Sequence, residues 1–163
     1  MGRPSMKGKM KNTAKWLFFA IMTAIILFTV GCPSQQTQSN AGVKLPESKV
    51  DRALMEKATV FGTKVCRGWD NERFDLITRE ESAPGFFESL SPEKQKSLFQ
   101  NQIFPAYGAF KQLFYKETYV VGNNFVFRFM GAYEKDAPEV RVVLTSTGLV
   151  TGFWIRPWTE DLE

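Results

Sequence analysis

The chain has 163 residues, with 21 Lys and Arg side chains against 17 Asp and Glu side chains. It contains no histidine, the commonest general base at neutral pH, and only two cysteines. This composition excludes Ser-His-Asp catalysis, Cys-His catalysis and the usual zinc sites. No metal and no cofactor are predicted, and any catalysis would have to use Asp, Glu, Lys or Tyr.

The first 31 residues have the pattern of a secretory signal. Five basic residues and no acid precede an apolar run from Trp16 to Val30. This run is shorter than the roughly 20 apolar residues that a membrane-spanning helix needs. Without those five basic side chains, the rest of the chain has 16 basic and 17 acidic residues. The high pI of the whole chain is therefore no evidence for a nucleic-acid partner, and none is predicted.

The signal ends in Thr29-Val30-Gly31-Cys32, which resembles the lipobox of bacterial lipoproteins, where the Cys is acylated and becomes the new N-terminus. The resemblance implies lipidation of Cys32 and a membrane-anchored protein outside the cytoplasm, on the periplasmic or outer surface side. The alternative is an uncleaved anchor with an incidental Cys. Under the lipoprotein interpretation, residues 1–31 are a signal peptide, and the polar residues 32–47 are a lipidated Cys and a flexible tether.

Residues 48–158 have the length and pattern of one folded domain, followed by an acidic tail, 159–163. Ser48-x-x-Asp51 predicts a capping-box start for a first helix that ends at Gly68. Asp70 or Asn71 can cap a short second helix through Ile77. A third helix is predicted from Ser91, with Pro92 at its first position. Cys66, in the first helix, is predicted to be a small buried apolar residue.

The second half of the domain alternates apolar and polar residues and predicts four strands, 112–121, 124–134, 139–145 and 149–156. The short turns between them favour antiparallel pairing. On the second strand, Phe127 is the centre of a stripe that is predicted to face the core. The predicted fold class is α+β, with three N-terminal helices packed on one face of a curved four-stranded antiparallel sheet.

Three helices followed by a meander of long strands resemble the cystatin-like cone of the nuclear-transport-factor-two-like superfamily. Four local motifs are similar to those of one branch, which comprises small exported domains of unknown function: Gly68-Trp69-Asp70, Ser91-Pro92-Glu93, Tyr107-Gly108-Ala109-Phe110 and residues 147–157. The resemblance implies a cone that can enclose an apolar cavity, and dimers that form through the sheet. The His and Asp pair of the catalytic members is missing.

Aromatic residues are the candidates for lining such a cavity. They could enclose a small apolar ligand, or they could simply fill the core. The candidates are Phe99, Tyr107, Phe114, Phe125, Phe127, Phe129 and Phe153.

The opposite sheet face mixes apolar residues, a tryptophan and arginines, which are types enriched at the centres of interfaces. Its candidate interface residues are Val126, Arg128, Met130, Arg141, Val143, Trp154 and Arg156, and Val150 is assigned to the same face. A homodimer or an envelope protein partner is predicted on this face, unless the C-terminal segment or the tether folds over it.

The leading functional hypothesis is a non-enzymatic, lipid-anchored module that binds a protein partner or a small apolar ligand. Two alternatives stay open at this point. One is a hydrolase or isomerase that uses a carboxylate in the cone cavity, and the other is a structural dimerisation module of the envelope.

Overall fold

The computed structural model describes residues 42–160 and Leu162. The chain divides into two units, Met1–Thr37 and Gln38–Glu163, and every described residue belongs to the second. The predicted signal peptide, Cys32 and most of the predicted tether lie outside the described residues. Within 42–160 and 162, no helix combines the length and the apolar character that crossing a membrane requires.

The first helix, α1, runs from Arg52 to Asp70, and its cap is Asp51 rather than Ser48. The Asp51 carboxylate accepts hydrogen bonds from the N–H groups of Ala53 at 2.9 Å and Leu54 at 3.2 Å. These are two of the donors that the start of a helix leaves without an intrahelical partner. The apolar side chains that α1 buries recur at helical spacing and are Ala58, Phe61, Val65, Cys66 and Trp69.

The predicted second helix is wrong, because residues 71–83 form turns and irregular segments. The Asn71 amide donates a 2.7 Å hydrogen bond back to the carbonyl of Arg67, so Asn71 closes α1 instead of opening a new helix. Helix α2 runs from Pro84 to Ser89 and is not among the three predicted helices. Pro84 occupies the first turn of α2, where its missing N–H costs no intrahelical bond.

The predicted start of the third helix is confirmed. Helix α3 spans Pro92–Leu98 with Ser91 as its cap. A π-helical turn, Phe99–Ile103, joins α3 to helix α4, Phe104–Tyr107. Gly108 then ends the helical segment with φ 74°, a left-handed conformation that glycine adopts without steric cost.

The sheet has five antiparallel strands, one before α1 and four after the helices, instead of the four strands predicted. The strands pair in chain order and are β1 (Val43–Lys44), β2 (Phe110–Val121), β3 (Asn124–Tyr133), β4 (Glu139–Thr145) and β5 (Val150–Arg156). Strand β1 lies within the segment predicted to be a tether and pairs with Tyr119 and Val120 near the end of β2. The α+β class is therefore confirmed, whereas the predicted numbers of helices and strands are wrong.

The face of the sheet that packs on α1, called the inner face, holds the hydrophobic core. Phe127 and Phe129 of β3 are 0% exposed, which confirms that Phe127 belongs to the core. Edge-on ring contacts join α1 to β5, because Phe153 lies 5.9 Å from Phe61 and 5.7 Å from Trp69 between ring centroids. The first helix and the last strand therefore share one core.

A glycine in the middle of α1 sets how closely the helix approaches the sheet. A Cβ atom at Gly62 would lie 2.9 Å from the Leu113 side chain of β2 and 3.3 Å from the Val142 side chain of β4. Both distances are shorter than ordinary van der Waals contact. The helix can rest on the inner face at this point because Gly62 has no side chain.

Cys66 lies in this core, as predicted, and its sulphur accepts a 3.3 Å hydrogen bond from the Tyr133 hydroxyl. Burial raises the pKa of the Cys66 thiol to about 12, so the thiol stays protonated at mildly alkaline pH. We expect iodoacetamide at that pH to spare Cys66 in the folded chain and to modify it fully in denaturing urea, as measured by mass spectrometry. Equal labelling in both conditions would show that the thiol is accessible.

Candidate functional site

The sheet face opposite α1, called the outer face, holds a network of ion pairs centred on Glu139 of β4. The Glu139 carboxylate accepts hydrogen bonds from Arg128 Nε at 2.9 Å and Arg128 Nη2 at 3.1 Å. It also accepts from Arg141 Nε at 2.7 Å and Arg156 Nε at 3.3 Å. The register explains this convergence, because Arg128 lies opposite Arg141 and Glu139 lies opposite Arg156 on neighbouring strands.

Arg128 also binds groups on both sides of Glu139. Its guanidinium forms an ion pair with Glu117 of β2, and Glu117 in turn pairs with Lys44 of β1 at 2.5 Å. Beyond β5, the chain turns back over the outer face as Pro157–Glu160 and Leu162, called the closing segment. The carbonyls of Thr159 and Glu160 accept hydrogen bonds from Arg128.

The closing segment changes the role predicted for Arg128. The Trp158 ring lies over the guanidinium, with its centroid 4.4 Å from the central carbon, which is cation–π geometry. The Arg128 side chain is 0% exposed. The sequence suggested that Arg128 is an interface residue. In the structure it is instead a buried ion that holds the closing segment against the sheet.

Glu139 is held in its ionised form. Burial raises the pKa of the Glu139 carboxyl, but the hydrogen bonds and positive charges of Arg128 and Arg141 outweigh it, so the pKa lies below the ordinary glutamate value. A carboxylate of this kind accepts hydrogen bonds at neutral pH and does not donate a proton. The network therefore orders the outer face rather than supplying a general acid.

Asp70, the last residue of α1, is a second partly buried carboxylate. Its Oδ2 accepts a 2.7 Å hydrogen bond from the N–H of Phe110, and Oδ1 has no hydrogen-bond partner among the described residues. Burial raises the pKa of the Asp70 carboxyl, and the hydrogen bond from the Phe110 N–H lowers it by a smaller amount. The contact ties the end of α1 to the start of β2.

Across the described part of the chain, no group of three or more Cys, Asp or Glu is placed to hold a metal ion.

Beside the ion-pair network, an open groove of about 420 Å³ crosses the outer face, a volume within the usual range for small-ligand sites. It is lined by Val121, Asn124, Val126, Arg141, Val143, Trp154, Arg156 and Leu162. Trp154 is 50% exposed, and its ring lies over Gly152, where any Cβ atom would collide with it. The groove thus combines a valine floor, a tryptophan wall and two arginines.

The structure brings five of the seven predicted interface residues together in this groove, namely Val126, Arg141, Val143, Trp154 and Arg156. Met130 lies on the same face, half-buried opposite Phe114 and Glu139. The assignment of Val150 to this face is wrong. An irregularity in the β4–β5 register, next to Thr151, shifts the alternation by one residue and turns Val150 into the core.

Of the seven predicted cavity residues, five are buried in the core: Phe99, Tyr107, Phe127, Phe129 and Phe153. Phe125 is partly buried and packs against the same core. The prediction that Phe114 lines a cavity is wrong, because Phe114 pairs with Met130 on the outer face and is 47% exposed. Phe153 also lines a pocket of about 200 Å³ between β5 and the segment around α3, together with Trp69, Leu98 and Ile103.

Two residues of the closing segment, Trp158 and Leu162, were not predicted as part of the site. Trp158 covers Arg128, and Leu162 lines the groove. The available signal was the presence of apolar side chains in an otherwise acidic stretch. Such residues gain free energy only when they find an apolar surface to cover, and the outer face supplies one.

Comparison of the chain with protein-family models, with curated proteins and with solved structures gives no significant match in any of the three. A functional proposal therefore rests on the groove and on the ion-pair network beneath the closing segment.

Proposed function

We propose that the protein is a lipid-anchored, extracytoplasmic binding module with the cystatin-like cone architecture, and that it binds its partner in the outer-face groove. The partner is a protein or a small molecule with an apolar part. The one observation that carries this proposal is the groove, in which a half-exposed Trp154 stands over a valine floor beside two arginines.

The composition of the groove distinguishes it from an ordinary solvated sheet face. A sheet face in water is mostly polar. Here Val126 is buried and Val143 half-buried, and both line an open groove rather than the core. Tryptophan and arginine dominate the centres of protein interfaces, since both supply a large contact area and directed hydrogen bonds. A binding surface accounts for this combination.

The anchor can be tested at Cys32. Because a basic and then apolar stretch precedes Gly31-Cys32, we expect cleavage before Cys32 and acylation of its thiol. Intact mass spectrometry and membrane fractionation of the wild type and Cys32→Ser would measure both. A wild-type product that retains residues 1–31, or that leaves the membrane as readily as Cys32→Ser, would disprove the anchor.

The groove can be tested by photo-crosslinking of the full chain in its native host. We expect Trp154→p-benzoylphenylalanine to form a defined adduct, because position 154 borders the groove. The matched control is Phe114→p-benzoylphenylalanine, which places the same probe on the same face outside the groove. Mass spectrometry of the adduct separates a second copy of the chain from a different envelope protein.

Two results would count against the groove as a binding surface. One is a set of identical adducts from positions 154 and 114, which would mean non-specific contact. The other is no adduct at position 154 together with no bound small molecule in native mass spectrometry of the full chain.

A further inference from the structure

The closing segment places one of its own side chains in the groove. Leu162 lines the groove together with Val121 and Val143. A Cβ atom added at Gly42 would lie 2.6 Å from Leu162 Cδ2 and 2.9 Å from Val121 Cγ2, so the leucine packs tightly at this end of the groove. Arg128 fixes the path of the chain that leads to Leu162 through the carbonyls of Thr159 and Glu160.

The sequence around Leu162 is acidic, and the surface that it meets is cationic. Glu160, Asp161 and Glu163 flank the leucine in the chain. Among residues 42–160 and 162, the ion-pair network of the outer face contains four cationic side chains and two carboxylates, so these six side chains together carry a net positive charge. These are Lys44, Arg128, Arg141 and Arg156, with Glu117 and Glu139. A leucine flanked by carboxylates matches both the valine floor and this charge.

We propose that the groove recognises a short acidic peptide segment of a partner protein with a leucine-type side chain at its centre, and that the Leu162 segment is an internal ligand of the same chemistry. This inference rests on the proposed function of the groove, and it adds the chemical class of the partner. The partner's segment displaces Leu162 and takes its place on the valine floor.

The geometry permits such an exchange in steps. The groove is open, and Trp154 borders it while half-exposed, so an incoming segment can contact the tryptophan before Leu162 leaves. Arg128 and Trp158 lie deeper and retain the first part of the closing segment. A covalently attached segment has a high effective concentration, so the unmodified chain should bind a free peptide weakly.

The experiment uses the full chain in detergent and a fluorescent peptide with the sequence of residues 157–163, PWTEDLE, with binding followed by anisotropy. We expect Leu162→Ser to bind this peptide at least about tenfold more tightly than the wild type, because the internal competitor has lost its apolar side chain. A peptide in which serine replaces its leucine should bind Leu162→Ser at least about tenfold more weakly.

Two further variants locate the binding. Adding Val143→Lys to Leu162→Ser should abolish binding, because it places a charge on the floor of the groove. Adding Phe114→Ser instead should leave binding unchanged, since Phe114 is an exposed apolar residue of the same face that does not line the groove. Protection of Cys66 from iodoacetamide reports whether each variant is folded.

If Leu162→Ser does not fold, hydrogen exchange at Leu162 in the wild-type chain replaces it, and the expected result is faster exchange there on addition of peptide, because only Leu162 is displaced while Arg128 retains residues 158–160. The inference is overturned if Leu162→Ser gains no affinity, if both peptides bind equally, or if peptide leaves the wild-type exchange unchanged. A specific adduct at position 154 without peptide binding would overturn this inference alone. Failure of both experiments would overturn the proposed function as well.

Discussion

Replacing Phe127 by alanine is expected to lower the free energy of unfolding by about 3–5 kcal/mol, the usual cost of truncating a buried phenylalanine. The ring is 0% exposed on the inner face, and it stacks with Phe125 at 6.5 Å between centroids. The change removes its contacts and leaves a cavity in the core. Urea unfolding of the unit Gln38–Glu163, followed by far-UV circular dichroism, measures the difference.

The effect would be a large fraction of the roughly 5–15 kcal/mol that stabilises a typical domain. Phe114→Ala is the matched control, because it makes the same truncation at a position that is 47% exposed on the outer face. Its expected effect is about 0.5 kcal/mol or less. Equal losses for the two variants would contradict the assignment of the faces.

The second large effect is expected for Glu139→Gln, which keeps the shape of the side chain and removes its charge. We expect a loss of about 3 kcal/mol, because a buried arginine would lose its main counter-ion. Arg128 and Glu139 are both fully buried, and Glu117 would still pair with Arg128, which places the loss at the low end of the usual range. Glu56→Gln, exposed on α1, is the control and should leave the unfolding midpoint unchanged.

The wild type and Glu139→Gln should differ in how their stability responds to acid. The pKa of Glu139 is depressed in the folded state, so its contribution to stability is present above the ordinary glutamate pKa and is lost as pH falls through the folded value. The advantage of the wild type over Glu139→Gln should therefore shrink as the pH falls below about 4.3. A constant difference from neutral to strongly acidic pH would show that the carboxylate charge does not stabilise the fold.

The strand pattern could be predicted because apolar alternation is strong on β3 and β4. The predicted bounds of β4, Glu139–Thr145, agree with the structure, and Phe127 lies on the predicted face. Strand β1 could not be predicted, because two residues carry no periodicity and their pairing depends on the distant Tyr119 and Val120. The face predicted for Val150 was wrong for a related reason, since a shift in strand register cannot be derived from the residues of one strand.

The candidate site was predicted in part. Alternation placed Arg141, Val143 and Trp154 on one face, and they line the groove together. The burial of Arg128 could not be derived from its own strand, because it depends on Trp158 folding back from beyond β5. The opposite charges of Glu117, Arg128 and Glu139 on one face were the sequence signal for an ion-pair network.

The shared core of α1 and β5 sets the order in which the chain can fold as it is synthesised. Helix α1 leaves the ribosome first, with Phe61 and Trp69 on its apolar side, but their partner Phe153 lies on the last strand. Strands β2 and β4 can cover part of α1 earlier, but Phe61 and Trp69 lack their β5 partner until Phe153 has been made. Cooperative folding of the complete core has to wait for β5, and incompletely folded chains that expose apolar surface of this kind are prone to aggregate.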